Sequence, residues 1–89
     1  VIDNASPAED LRTNLDIFEN KALDFDVKHL AQNIGFPGAA NEGARMGHSD
    51  LIMFLSDDVK LMDGTMDKIV SDFKDETVGI VGIKLLFPL

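Results

Sequence analysis

The chain has 89 residues, with 16 Asp+Glu against 8 Lys+Arg, a net charge of −8 and a pI of about 4.4. That length allows one small domain, and an apolar fraction of 45% is too high for a disordered segment. The acid excess argues against nucleic acid and anionic membrane as partners, because both reward clustered Lys and Arg, and the absence of Cys removes disulfides, thiolate chemistry and the usual zinc sites.

Val1-Ile2-Asp3 is a short apolar run entering a polar turn, Asn4-Ala5. Ser6-Pro7-Ala8-Glu9 predicts a helix start: Ser6 as cap, Pro7 at the first helical position and Glu9 three residues after the cap. Leu11, Leu15 and Phe18 follow on one helical face, which fades near Asn20. Phe25, Val27 and His29 alternate with Asp24, Asp26 and Lys28, the period of a half-buried strand. Asn33 to Gly38 is a turn cluster, and Pro37 opens a helix whose small face (Ala39, Ala40, Gly43, Ala44) runs to about Gly47. Small faces let a helix approach a sheet or a ligand closely.

Leu51-Ile52-Met53-Phe54-Leu55 is an unbroken apolar run that predicts a strand buried on both faces, ending in Ser56-Asp57-Asp58. A helix capped by Asp63 or Gly64 follows, with Met62, Met66, Ile69, Val70 and Phe73 at helical spacing, and Val78 to Leu86 reads as a closing strand. The order strand, helix, strand, helix, strand, helix, strand predicts an α/β fold, a mainly parallel sheet with helices on both faces. In such sheets ligands bind beyond the carboxyl ends of the strands, which singles out the turns at Asp3 to Ser6 and Ser56 to Asp58. No apolar run is long enough to span a bilayer, and the expected location is the cytoplasm, with any membrane association peripheral and through segments outside residues 1–89.

Adjacent carboxylates after a strand repel each other, and Mg²⁺ or Mn²⁺ completed by substrate phosphates relieves that repulsion. The same pair also serves as a turn cap with one solvated neighbour, and spacing alone leaves both readings open. Asp3-Asn4 has a similar alternative, an Asx turn with Ser6 as an ordinary cap. His29 and His48 show no partner arrangement in the sequence, and Arg45 suits a surface ion pair or an anion contact.

Four blocks resemble family 2 glycosyltransferases of the rhamnosyltransferase-like branch: Val1-Ile2-Asp3-Asn4-Ala5-Ser6, Asn33-Ile34-Gly35-Phe36 with Ala40-Asn41-Glu42-Gly43, Ile52 to Val59, and Val78 to Leu86. The resemblance implies a Rossmann-like GT-A nucleotide-diphosphosugar-binding fold. Residues 1–89 would be a partial domain that lacks the first strand and the acceptor-binding half. It implies that Asp3, Asn4, Ser6, Asn33, Gly35, Asn41 and Asp57 contact or border the donor nucleotide, that Gly43 permits close backbone approach, and that Asp58 coordinates Mg²⁺ or Mn²⁺. The expected donor is a UDP-, dTDP- or GDP-linked sugar and the acceptor a glycan hydroxyl. The catalytic base is expected outside this chain, so the chain alone is expected to be inactive. Ser56 stands where the family has its first acid, and Ala40 where it often has Arg. Strand edges left open would favour a homo-oligomer. A second reading from another class is a non-catalytic flavodoxin-like receiver with an acidic phosphoacceptor. Against it, the acid pair follows the third predicted strand rather than the first.

Overall fold

The computed structural model describes residues 1–19 and 24–87, which form two units, Val1–Phe54 and Leu55–Leu89. The predicted helix end at Asn20 lies outside the described residues, as does the side chain of Phe18.

The first unit runs β1 (Ile2–Asp3), α1 (Glu9–Glu19), β2 (Lys28–His29) and α2 (Gly35–Met46). The two strands are parallel, with Ile2 opposite Lys28 and Asp3 opposite His29. The Lys28 amide donates to the Val1 carbonyl and the Leu30 amide to the Asp3 carbonyl, both at 2.9 Å. The predicted alternation holds: Phe25, Val27 and His29 are half-buried while Asp24, Asp26 and Lys28 are exposed. Only the last two residues of that stretch have ladder geometry.

Helix α1 starts at Glu9, later than Ser6 and Pro7 predict. The cause is local: the Ser6 amide donates to Asp3 Oδ1 at 2.9 Å, so Ser6 closes the turn after β1 and does not cap α1. Glu9 and Asp10 then occupy the first helical turn, where negative charge suits the helix dipole. Leu15 is half-buried, whereas Leu11 is exposed.

Helix α2 begins two residues before Pro37. Its entry depends on Gly35, whose φ of +77° is a left-handed conformation that a side chain disfavours. The small face does what the sequence suggests toward the sheet: a Cβ on Gly43 would sit 3.4 Å from Ile2 Cγ1. Across this contact, Lys28 Nζ of β2 reaches Glu42 Oε2 of α2 at 2.6 Å. Arg45 also pairs with Glu42, at 2.8 Å, which resolves it as a surface ion pair.

The second unit contains α3 (Thr65–Asp72), entered through Gly64 at φ +78° as the predicted cap. Ile69 and Phe73 are half-buried, while Met62, Met66 and Val70 remain exposed.

Two predicted strands are corrected. Leu51–Leu55 and Val78–Leu86 take irregular backbone, with Ile52, Phe54 and Leu55 exposed and Ile80 91% exposed. An apolar run becomes a strand only when a neighbour accepts its ladder hydrogen bonds, and a lone extended segment has none to offer. Among the described residues the sheet stops at β1 and β2. No apolar side chain among them is fully buried, and the buried residue is a carboxylate, Asp3. Among the described residues no helix is long and apolar enough to cross a membrane.

Candidate functional site

The carboxyl end of β1 is the organised part of the first unit. Asp3 has a side chain with no exposed surface, and each of its oxygens is committed. Oδ1 accepts from the Ser6 amide. Oδ2 lies 2.7 Å from His29 Nδ1 and 3.3 Å from Arg12 Nε. The other ring nitrogen, His29 Nε2, lies 2.7 Å from Asp16 Oδ1 on α1. A buried carboxylate is costly unless paired and hydrogen-bonded, and this one is both.

The electrostatics follow from those contacts. The hydrogen bond from His29, then those from Ser6, hold the Asp3 carboxyl down at about 2, against its ordinary 3.8. Hydrogen bonding to Asp16, then to Asp3, raises His29 above its ordinary 6.5. Asp3 is depressed, so its stabilising contribution is present above pH 3.8 and is lost as pH falls toward 2. His29 is raised, so its contribution is complete below pH 6.5 and is lost as pH rises through its higher folded value. The cluster is therefore intact across mildly acidic pH and weakens on either side.

Asn4, next along the chain, ties this turn to the entry of α2. Its Oδ1 accepts from the Ile34 amide at 2.9 Å, and its Nδ2 donates to the Gly35 carbonyl at 3.2 Å and to Asn33 Oδ1 at 3.3 Å. Asn33 Oδ1 also takes the Gly35 amide at 2.9 Å. The two loops are thus stapled by side-chain amides that imitate backbone groups. Between Asn4 and Ser6, Ala5 adopts φ +60°, a left-handed strain that persists where surrounding contacts over-determine the backbone.

Asp3 with Ser6, and Asn4 with Asn33 and Gly35, therefore form two hydrogen-bonded sets that adjoin along the chain at the end of β1. Asp3 and Ser6 form the Asx-type turn, so the Asp3 side chain shapes the loop from beneath and exposes no oxygen. Asn41 stands apart on the exposed side of α2. In the second unit, Asp57 and Asp58 sit exposed in a turn closed by the Val59 amide on the Ser56 carbonyl at 3.3 Å. A concavity of the same unit runs along α3 and Val81 to Lys84 and includes neither acid.

Among the described residues no three His, Cys, Asp or Glu side chains are grouped to hold a metal ion. Two exposed carboxylates do suit Mg²⁺ or Mn²⁺ in its usual mode, where one or two acids share the ion with substrate phosphates and water. They do not suit a dedicated all-protein cage.

Sequence reasoning missed the partnership of His29 with Asp3, Asp16 and Arg12. The available signal was register: in a parallel pair, the last residues of β1 and β2 face each other, which brings Asp3 to His29.

The family model described as glycosyl transferase family 2 matches residues 1–86. A curated protein, "O-antigen biosynthesis protein RfbC" of Myxococcus xanthus, is 37% identical over 54 residues, covering 60% of this chain. This chain spans 4% of that relative's length. No solved structure matches.

Proposed function

Because the chain belongs to glycosyl transferase family 2, we propose that residues 1–89 serve the nucleotide-sugar donor of a glycosyltransferase acting in surface polysaccharide assembly. The reaction moves a sugar from a nucleotide diphosphate to an acceptor hydroxyl. The observation that carries this reading is the convergence of Asn4, Asn33 and Gly35 at the carboxyl end of β1, where α/β sheets bind ligands. With the Asn4 Nδ2 and Gly35 amides spent on the staple, the Asn33 side-chain NH₂ and the second lone pair of Asn4 Oδ1 are the uncharged groups that read the polar edge of a base or ribose. In this reading Asp3 and Ser6 shape the turn, and Asn41 meets the donor from the exposed side of α2. The complete fold is a Rossmann-like GT-A domain, and its acceptor glycan is handled outside these residues.

The second part of the proposal concerns Asp57 and Asp58. Asp58 takes Mg²⁺ or Mn²⁺ together with donor phosphates, and Asp57 lies beside the donor. Such an ion, when bound, neutralises charge on the departing diphosphate. No residue of this chain is assigned as the catalytic base.

Membership of the family favours the transferase over the receiver reading, and the two differ in the ligand each requires. Titration calorimetry with UDP, dTDP and GDP separates the parts. We expect one of the three to bind, more weakly without Mn²⁺, and Asp58→Ala with Mn²⁺ to match the wild type without it. Equal affinity in all three conditions removes the metal assignment. Absence of binding by every nucleotide removes the donor reading.

A further inference from the structure

We propose that His29 is a positioning residue for the donor turn: as an imidazolium bridging Asp3 and Asp16, it fixes the segment that carries Asn4. The value of that segment to the donor rests on the function proposed above, whereas the bridge itself does not.

The first ground is geometric. Both ring nitrogens lie 2.7 Å from a carboxylate oxygen, and ionised carboxylates only accept hydrogen bonds. A neutral imidazole has a single N–H, so it satisfies one acid and turns a lone pair toward the other. The observed bridge therefore requires the protonated ring, and the raised proton affinity of His29 agrees with it.

The second ground is continuity. From α1, Asp16 holds one side of the ring while Arg12 reaches Asp3 at 3.3 Å. From β1, Asp3 holds the other side and passes the constraint to the Ser6 amide through Oδ1. Asn4 and the strained Ala5 lie between those two anchors, and Asn4 in turn fixes Ile34 and Gly35. Lys28, the neighbour of His29 on β2, is engaged with Glu42 of α2, which also holds Arg45. Among the described residues, the charged groups facing the ring are thus two acids, with the Arg12 guanidinium behind one of them.

Deprotonation breaks one end of the bridge and sets a lone pair against an anion. The turn then loses one of the contacts that hold Ala5 in its strained conformation. This makes donor affinity fall as pH rises through the His29 transition, by about three- to tenfold for one lost hydrogen bond.

The test uses the isotopically labelled chain and follows the Ser6 amide and the His29 ring by nuclear magnetic resonance from about pH 5 to pH 9. We expect one shared midpoint above 6.5 in the wild type. In His29→Arg, which keeps two donors and a permanent charge, the Ser6 amide should stay at its low-pH position throughout. In Asp16→Asn, which leaves the Asp3 contact in place, the shared midpoint should fall. UDP affinity should follow the same midpoint in the wild type and be flat across pH in His29→Arg. A Ser6 amide that ignores the His29 titration overturns the proposal, as does an unchanged midpoint in Asp16→Asn should His29→Arg not fold. Coupled titration without binding of UDP, dTDP or GDP at any pH supports the positioning role and removes the donor reading alone.

Discussion

Ala5 and Gly35 occupy the same left-handed region, at φ +60° and +77°, on the two loops that Asn4 joins. A left-handed alanine carries about 1–2 kcal/mol of strain, while glycine adds about 0.4–1 kcal/mol of unfolded-state freedom. Ala5→Gly should therefore stabilise the unit by up to about 1 kcal/mol. Gly35→Ala should destabilise it by a similar amount, up to about 1 kcal/mol, because the nearest atom to its new Cβ is 3.9 Å away and the cost is conformational. Urea unfolding followed by circular dichroism measures both, and equal signs would show that φ is not what governs these positions. At this scale the sequence was informative about residue type and poor about partners. Asn4, Asn33 and Gly35 stand out as turn formers, and their bonds to one another join two turns that are 29 residues apart. Ser6 looks like a helix cap and instead closes on Asp3, since a carboxylate three residues back takes both its amide and its hydroxyl. His29 looked idle because its partners lie 26 and 13 residues away and are brought to it by strand register and by α1.

Among the elements, helices were more legible than strands. A helix satisfies its own backbone, so α2 and α3 could be read from local spacing and from Gly64 as cap. A strand depends on a neighbour that its own residues do not specify. That is why the apolar run at Leu51 to Leu55 looked like the firmest strand and is irregular, while the weaker pattern at Phe25 to His29 kept its alternation and paired with β1. The contact that joins helix to sheet is the glycine on α2 opposite Ile2. Gly43→Leu has no room at 3.4 Å and should push α2 away from β1, costing about 1–3 kcal/mol by overpacking. The same unfolding assay reads this, and a variant as stable as the wild type would mean that α2 and β1 are not packed on each other through this face.

For the whole chain, the charge of −8 acquires a more specific meaning than exclusion of nucleic acid. Asp3 and Asp16 are bound into the His29 bridge, Glu42 holds Lys28 and Arg45, and Asp72 pairs with Lys68. Asp57 and Asp58 are an exposed acid pair in one turn, as Glu9 and Asp10 are on α1 and Asp75 and Glu76 are after α3. A negatively charged protein repels an anionic diphosphate at long range, so a divalent cation or added salt should help such a donor bind. The family match runs through both units, from residue 1 to residue 86, and each unit contributes one of the turns to which the sequence first drew attention. In the function proposed above, the Asn4–Asn33–Gly35 network receives the nucleoside. Chemical-shift mapping on the labelled chain, with UDP, dTDP and GDP added in turn in the presence of Mg²⁺, tests it directly. One nucleotide should saturably shift the side-chain amides of Asn4 and Asn33 and the backbone amide of Gly35. Saturable binding that leaves all three signals in place, or no binding by any of the three nucleotides, would contradict it.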